Sequence, residues 1–309
     1  MSQEKKKYKG FVNGSNWLKA DFHLHTQADK EFKYTKAGND FINNYVARLK
    51  EQNIHIAAIT NHNTFAKDEF IHLRKKAKQE EILLLPGVEL SVNDGANGIQ
   101  ILVIFSNQWL ENDNDYISPF ISSMFTGKAE NEYQNENGRS DKSILQVVEE
   151  LEKNHRDYFL LLAHVEQRSG LWKEMEGGKL GDFAEKRYAT VRQRTLGFQK
   201  VRTHDERIKV KDWLKGWYPA ELEGSDCKSI DDIGDKKGET WLKIGDFTFE
   251  AVKYALSDHI NRVRTKRPQR YQRSYIKSIS FDGRDGILHG QQILFSPELN
   301  AVIGIRGSG

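Results

Sequence analysis

Two kinds of apolar pattern alternate along this chain, and the alternation sets its fold class. Residues 54–59, 82–85, 101–105 and 159–163 are short, continuous apolar runs of strand type. Between and after them, apolar residues recur at helical spacing. Phe41, Ile42, Tyr45, Val46 and Leu49 form one such set. Ile144, Val147, Val148 and Leu151 form a second, with Asp141 as its candidate N-cap. Phe249, Val252, Tyr254, Ala255 and Leu256 form a third, after Asp246. Apolar strands separated by helices build a parallel sheet covered on both faces, so an α/β fold is expected. Two stretches break the rhythm. Residues 112–139 are rich in Asn, Glu, Ser and Gly and read as a surface excursion; residues 173–207 are charged and weakly periodic. No internal repeat is evident.

Composition excludes several classes of protein. The chain has 309 residues, 38% of them hydrophobic and 29% charged, with a mean hydropathy of -0.70. That is a wet-surfaced globular chain, long enough to bury a sizeable core. No apolar run approaches the roughly 20 residues that span a bilayer, so no membrane partner is expected. The lysine-rich start lacks the apolar core of a signal peptide. A single cysteine, Cys227, rules out an internal disulfide framework and fits a reducing cytoplasm. The net charge of +3 makes no case for nucleic acid by itself. A local basic stretch over residues 262–273 (Arg262, Arg264, Lys266, Arg267, Arg270, Arg273) reads either as a solvated linker or as a nucleic-acid contact.

The strand-like runs are followed by residues of metal-ligand type. Asp21-Phe22-His23-Leu24-His25 reads as a strand, and alternation would turn Asp21, His23 and His25 to one face. Thr60-Asn61-His62-Asn63 follows the second run, Pro86-Gly87-Val88-Glu89 the third, and His164 closes the last. Glu223-Gly224-Ser225-Asp226 comes later, before a turn. In a (β/α) barrel, the loops at the C-terminal ends of the strands build the site. His23, His25, His62, Glu89, His164 and Asp226 would then ring one mouth. One such histidine is usually a satisfied structural residue; a set placed after successive strands suits Zn, Mn or Fe, with carboxylates bridging ions. His55 and His72 read as surface or packing residues, and His155, His204, His259 and His289 have no partner spacing. Trp213, Trp217 and Tyr218 could stack bases but read first as packing.

The ordered motifs DFHLHT, ITNHNT, PGVELS, LLAHVE and EGSDCKS resemble the PHP (polymerase and histidinol phosphatase) family over residues 16–260. The resemblance implies a distorted (β/α)7 barrel with a trinuclear metal centre that hydrolyses phosphate esters. It implies His23 and His25 as ligands of the first motif, with Glu31 as the third and Asp29 as the less favoured choice. His62, the bridging Glu89, His164 and Asp226 follow from the later motifs. Ser257-Asp258-His259 could mimic the last motif, but it sits at the end of a helical pattern.

Three positions depart from the family pattern. Asn61 stands in place of an aspartate, Gln100 in place of a histidine, and Lys228 in place of the histidine of D-x-H. The resemblance therefore implies one complete ion position (His23, His25, Glu89, Asp226), one weakened (Glu89, His164) and one left with His62 and Glu31. One to two divalent ions are expected, Mn, Zn, Fe or Mg. The Lys228 ammonium would stand where the third ion sits, and Lys228 and Arg168 would clamp phosphate. The expected activity is that of a metal-dependent phosphoesterase, a nuclease acting on DNA or RNA. The alternative is a degenerate PHP domain that binds nucleic acid or a partner without cleaving it.

The pattern changes after residue 273. Residues 274–281 alternate like a half-buried strand, residues 282–286 read as a turn, and residues 291–295 and 299–303 read as further strands. The last eleven residues, 299–309, end a strand in the G-x-x-x-x-G of a Walker A loop, one position short of its lysine. Gly304, Gly307, Ser308 and Gly309 would be its nucleotide-binding part. The phrase L-N-A-V-I-G is similar to the first nucleotide-binding strand of SMC/ABC-type ATPases, and the whole arrangement resembles TrlF-like PHP-ATPases, some of which appear in anti-phage defence. The expected domains are thus a basic lead (1–15), a PHP domain (16–270) and the start of an ATPase (271–309). ATP with Mg, and a homo-oligomer formed through the ATPase, are expected only of a longer chain.

Overall fold

The computed structural model describes residues 9–12, 14–35, 40–234, 238–268, 274–284 and 289–304. The strands in chain order are β1 (Asn16–Leu24), β2 (Ile54–Ile59), β3 (Leu83–Val92), β4 (Ile99–Phe105), β5 (Tyr158–Leu162), β6 (Thr195–Gln199), β7 (Ala220–Leu222), β8 (Thr240–Ile244) and β9 (Val263–Arg264). From β1 to β7 each strand lies beside its chain neighbour, and β8 and β9 extend the other edge beyond β1. β1, β2 and β3 run parallel, as do β5, β6 and β7. β4 is antiparallel to both its neighbours. Antiparallel β8 brings the sheet's far edge back towards β7. There Thr240 Oγ1 accepts from the Glu223 backbone N–H at 2.7 Å and donates to the Glu223 carbonyl at 2.9 Å. The sheet is therefore a nearly closed, distorted barrel, as expected.

Two apolar layers hold it. Inside, Phe22 of β1 faces Phe159 of β5 at 6.3 Å between ring centroids, among Leu102, Ile104, Leu161 and Leu242. Outside, helices α1 (Phe41–Glu51) and α2 (Lys67–Gln79) lay Tyr45, Val46, Leu49 and Leu73 on the outward residues of β2 and β3. Helices α3 (Ile117–Met124), α4 (Ile144–Lys153) and α5 (His204–Trp213) continue this layer. Helix α6 (Phe249–Ser257) closes the barrel end where β5 begins. Its Phe249 ring lies 5.3 Å from Phe159, and Lys253 Nζ bonds Asp157 at 2.6 Å.

The expected helices are present, but their caps differ. Ser143, not Asp141, caps α4 by accepting from Gln146 N–H, and Thr248, not Asp246, caps α6 by accepting from Ala251 N–H at 3.1 Å. A capping side chain must sit on the residue next to the first turn to reach its free N–H groups. Asp141 lies two residues too early and pairs with Lys128 at 2.9 Å. Nor is the stretch 112–139 a bare surface excursion. It contains α3 and the short helix Glu130–Tyr133, and buries Phe125 stacked on Tyr133 at 4.1 Å.

Beyond the barrel, β10 (Ser278–Ser280) and β11 (Gln292–Leu294) pair antiparallel, shorter than the alternation suggests. Residues 299–303 do not form the expected strand. Leu299 and Val302 are 91% and 94% exposed, and among the described residues no strand pairs with this segment to complete a ladder. Gly304 is exposed. Gly307, Ser308 and Gly309 lie outside the described residues, as do the N-terminal lysines, Arg270 and Arg273. No described helix is long and apolar enough to cross a membrane.

Gly197 lets β5, β6 and β7 close on one another. A Cβ there would lie 2.4 Å from Leu222 Cδ1 and 2.9 Å from Leu161 Cδ2. Gly197→Ala should therefore overpack the barrel and lower stability by about 1–3 kcal/mol. Urea unfolding checks this, and an unchanged midpoint would show that the strands spread without cost.

Candidate metal centre

Glu89 is the hub of the mouth, and a change of strand partner puts it there. β3 pairs with β2 as far as Pro86 and with β4 from Gly87 onward. Gly87 permits the crossing, since a Cβ there would lie 2.9 Å from Thr60 Cγ2 and 3.0 Å from the Val103 carbonyl. The chain past β2 then runs alongside: Glu89 N–H donates to Asn61 O at 3.1 Å, and Asn63 N–H to Glu89 O at 2.8 Å. Glu89 is thus an interior strand residue, not part of a loop after the third run. Its carboxylate is 1% exposed.

Four imidazoles face that carboxylate through Nε2. His23 lies 2.7 Å from Glu89 Oε2, His62 3.4 Å and His25 3.5 Å. His164 lies 3.7 Å from Oε1. The opposite ring nitrogens of two of them, His23 and His62, are hydrogen-bonded from behind, and that of His25 stands close to a carboxylate without an aligned hydrogen bond. His23 Nδ1 donates to Gln199 Oε1 at 2.8 Å. His62 Nδ1 donates to Asp29 Oδ2 at 2.8 Å, and His25 Nδ1 lies 3.0 Å from the same oxygen. The His25 and His62 rings stack at 4.5 Å, 7° from parallel. An acceptor on Nδ1 fixes the tautomer whose free lone pair is on Nε2, the form that binds metals. Asp226 completes the group, with Oδ1 3.3 Å from His25 Nε2 and 3.7 Å from His23 Nε2.

His23, His25, His62, Glu89, His164 and Asp226 therefore converge. Asp29, not Glu31, is the acid that the first motif contributes. A turn after β1 closes with Asp29 N–H donating to Thr26 O and Phe32 N–H to Asp29 O, which points the Asp29 carboxylate inward. Glu31 supplies only its backbone N–H to Asp29 and makes no ion pair with these histidines. Asp29 also accepts from the His62 backbone N–H at 2.7 Å. His25, Asp29 and His62 could form a ligand triad, as could His23, His25 and Glu89. The 2.8 Å bond to His62 Nδ1 is direct, so Asp29 is read as the carboxylate that orients His62, with its charge 3.0 Å from His25 Nδ1.

Other expected residues are placed differently. Asp21 does not face Glu89 with His23 and His25. The pairing register breaks between Asp21 and Leu24, and Asp21 accepts from Ser225 N–H at 3.1 Å and His23 N–H at 3.1 Å. Asn61 accepts from Thr26 N–H at 2.8 Å and donates to Thr26 Oγ1 at 3.0 Å, tying the loop after β1. Gln100 is half-buried in β4, opposite Ser91. Arg168 is exposed and bonds Asn97 Oδ1 at 3.1 Å. Lys228 Nζ lies 3.5 Å from Asp226 Oδ1.

Gln199 and Lys200 escape the sequence reading. Gln199 ends β6, a five-residue strand interrupted by glycine that carries no clear apolar run, and Lys200 follows it. Lys200 Nζ lies 3.2 Å from Asp226 Oδ2. Asn63, His164, Lys200 and Asp226, each just past a strand, have φ of +51°, +26°, +60° and +53°. Non-glycine residues in that region cost of order 1 kcal/mol each and persist only where the surroundings impose them.

The electrostatics suit cations. Burial opposes charge on His23, but the Glu89 and Asp226 carboxylates raise its pKa to about 9. Burial pushes Glu89 up, yet the imidazoles of His23 and His62 outweigh it and hold Glu89 well below the usual range. Asp29 is likewise held low against its burial by His25 and His62. Glu89 Oε1 and His164 Nδ1 are buried without a hydrogen-bond partner. A buried carboxylate oxygen left open among imidazole nitrogens is a donor set that a divalent cation satisfies.

A protein-family model described as the PHP domain matches residues 21–201. Among solved structures, the lesion-specific endonuclease EndoQ of Pyrococcus furiosus superposes with a TM-score of 0.54 at 14% identity, over 80% of this chain and 57% of that one. Endonuclease Q in complex with a 27-mer duplex substrate carrying an abasic lesion gives 0.51 at 12% identity, over 80% and 58%. A two-domain protein of Bacteroides vulgatus containing a predicted PHP-like metal-dependent phosphoesterase gives 0.50 at 15% identity, over 85% and 68%. At these identities the likeness is one of fold, and the chain spans little more than half the length of the endonuclease. A comparison with curated proteins finds no match.

Protons and cations compete for His23 Nε2. With His23 protonated up to about pH 9, Mn²⁺ affinity should rise with pH through that range. About one proton should leave per ion near neutral pH, read by calorimetry in buffers of different ionisation enthalpy. Asp29→Asn should weaken Mn²⁺ about 10–100-fold with the fold intact. Unchanged affinity would show that Asp29 orients nothing that binds metal.

Proposed function

Because the chain belongs to the PHP domain family, we propose that it is a metal-dependent phosphoesterase that cleaves nucleic acid. The observation that carries this reading is Glu89, buried with Oε1 open while four imidazoles aim Nε2 at its carboxylate. His23, His25, Glu89 and Asp226 would hold the main ion. Glu89 would share further ions with His62 or His164. A divalent ion held there supplies a Lewis acid for a phosphate and makes water nucleophilic near neutral pH. Asp29 and Gln199 set the imidazoles before any ion arrives, so binding needs little reorganisation. Lys228, 36% exposed and 3.5 Å from Asp226, can offer its ammonium to a phosphate oxygen from the solvent side. The choice of nucleic acid is supported by the fold shared with Endonuclease Q, a structure bound to duplex DNA.

In a longer chain, the phrase L-N-A-V-I-G and the glycines after it would open an SMC/ABC-type ATPase that binds ATP and Mg and assembles as a homo-oligomer. Nuclease and ATPase would then work together, in the cytoplasm, in anti-phage defence; that extension rests on the sequence phrase alone. A second reading, binding of nucleic acid without cleavage, is favoured by one feature. Asp226, a ligand of the main ion, is already engaged by two lysines.

Labelled single- and double-stranded DNA and RNA, incubated with Mn²⁺, Mg²⁺ or EDTA, separate the two readings. Cleavage should require metal and fall to background in the His23→Ala, Asp226→Ala double variant. Binding without cleavage under every metal would replace the nuclease reading with the binding one.

A further inference from the structure

The two oxygens of Asp226 face different partners. Oδ1 lies 3.3 Å from His25 Nε2 and 3.7 Å from His23 Nε2, with the more exposed Lys228 Nζ 3.5 Å from it on the solvent side. Oδ2 lies 3.2 Å from Lys200 Nζ. Both ends of that second contact are fixed by backbone bonds to a neighbouring segment. Lys200 N–H donates to Leu222 O at 2.9 Å, and Asp226 N–H donates to His23 O at 2.8 Å. Both residues adopt left-handed backbone conformations, held by those two bonds. The Lys200 side chain is 11% exposed, against 36% for Lys228.

Resting on the reading of this centre as a cation site, we propose that Lys200 is a positioning residue that acts through Asp226. Its ammonium claims Oδ2, so Asp226 offers a metal ion only Oδ1. Its fixed charge also repels any further ion that would bridge from Asp226. Asp226 cannot then serve two ions at once, and the centre holds fewer ions than its count of imidazoles and carboxylates would allow. Part of the positive charge facing a phosphate comes from the chain itself and persists when metal is scarce. A lysine that merely neutralised Asp226 in the metal-free chain would have no such effect on ion number.

The test uses the whole chain, stripped with EDTA and titrated with Mn²⁺. Bound ions are counted after gel filtration, and affinity is read against a chelating dye. Lys200→Met should gain an ion, or bind its weakest ion roughly tenfold more tightly, because a repelling charge is gone and Oδ2 is free. Lys200→Arg should match the wild type. A Lys200→Met protein that melts normally but shows the wild-type count and affinities, or lower ones, overturns the inference. Lys200→Gln, measured in parallel, decides the matter in the same way if the methionine variant does not fold. Wild-type protein that binds no Mn²⁺ overturns the phosphoesterase reading as well, whereas a metal-binding wild type with an unresponsive Lys200→Met overturns this inference alone.

Discussion

A carboxylate buried inside a barrel must be paired, and the structure of this chain turns on how Glu89 is paired. An unpaired carboxylate with that little exposure would cost several kcal/mol. The chain surrounds it with imidazoles, not with an arginine or lysine. Imidazoles can carry protons when no ion is present and give up their Nε2 lone pairs when one is. The raised His23 pKa and the depressed Glu89 pKa are two sides of this arrangement. It is stable without metal and remains available to it.

The geometry around Glu89 follows from the sheet. β3 must leave β2 and take up β4 within one strand, and Pro86-Gly87 marks that transition. Once β3 has crossed, the segment after β2 pairs with Glu89 directly and brings His62 with it. Asn63 fixes the far side of the same segment by donating to the carbonyls of Tyr133 and Gly138 at 2.8 and 3.0 Å. The polar stretch 112–139 thus contributes the acceptors that hold a mouth loop in place, a role its composition does not advertise.

Much of this was legible from the sequence, and what was not had physical causes. The α/β class followed from long apolar runs such as residues 101–105, whose burial on both faces requires continuous hydrophobicity, and the barrel from the family resemblance of the ordered motifs. The converging ligands followed because they sit at the ends of those runs. β6 and β7 are five and three residues long, and Gly197 in β6 has no side chain to contribute to a pattern. Gln199 and Lys200 were lost with β6. Asp29 and Glu31 differ by two residues, and only the hydrogen bonds of the turn decide which carboxylate points inward. Residues 299–303 show the opposite failure: an apolar pattern of strand type becomes a strand only where another strand supplies the ladder.

The departures from the family pattern leave no charge of the centre without a partner. The positions that built the first ligand group are kept, with His23, His25 and Glu89 closely packed. Asn61 has become a structural amide, and Lys200 and Lys228 both lean on Asp226. Losing several ligands at random would leave buried carboxylates without partners, at a cost the fold could not carry. Here the charges remain balanced, because ammonium groups stand beside the one acid whose neighbouring ligand is gone. That balance marks an electrostatic substitution, with fixed cations taking over part of the charge that bound ions would supply. On the proposed reading, a centre built this way would present His23, His25, Glu89 and one oxygen of Asp226 to a single ion.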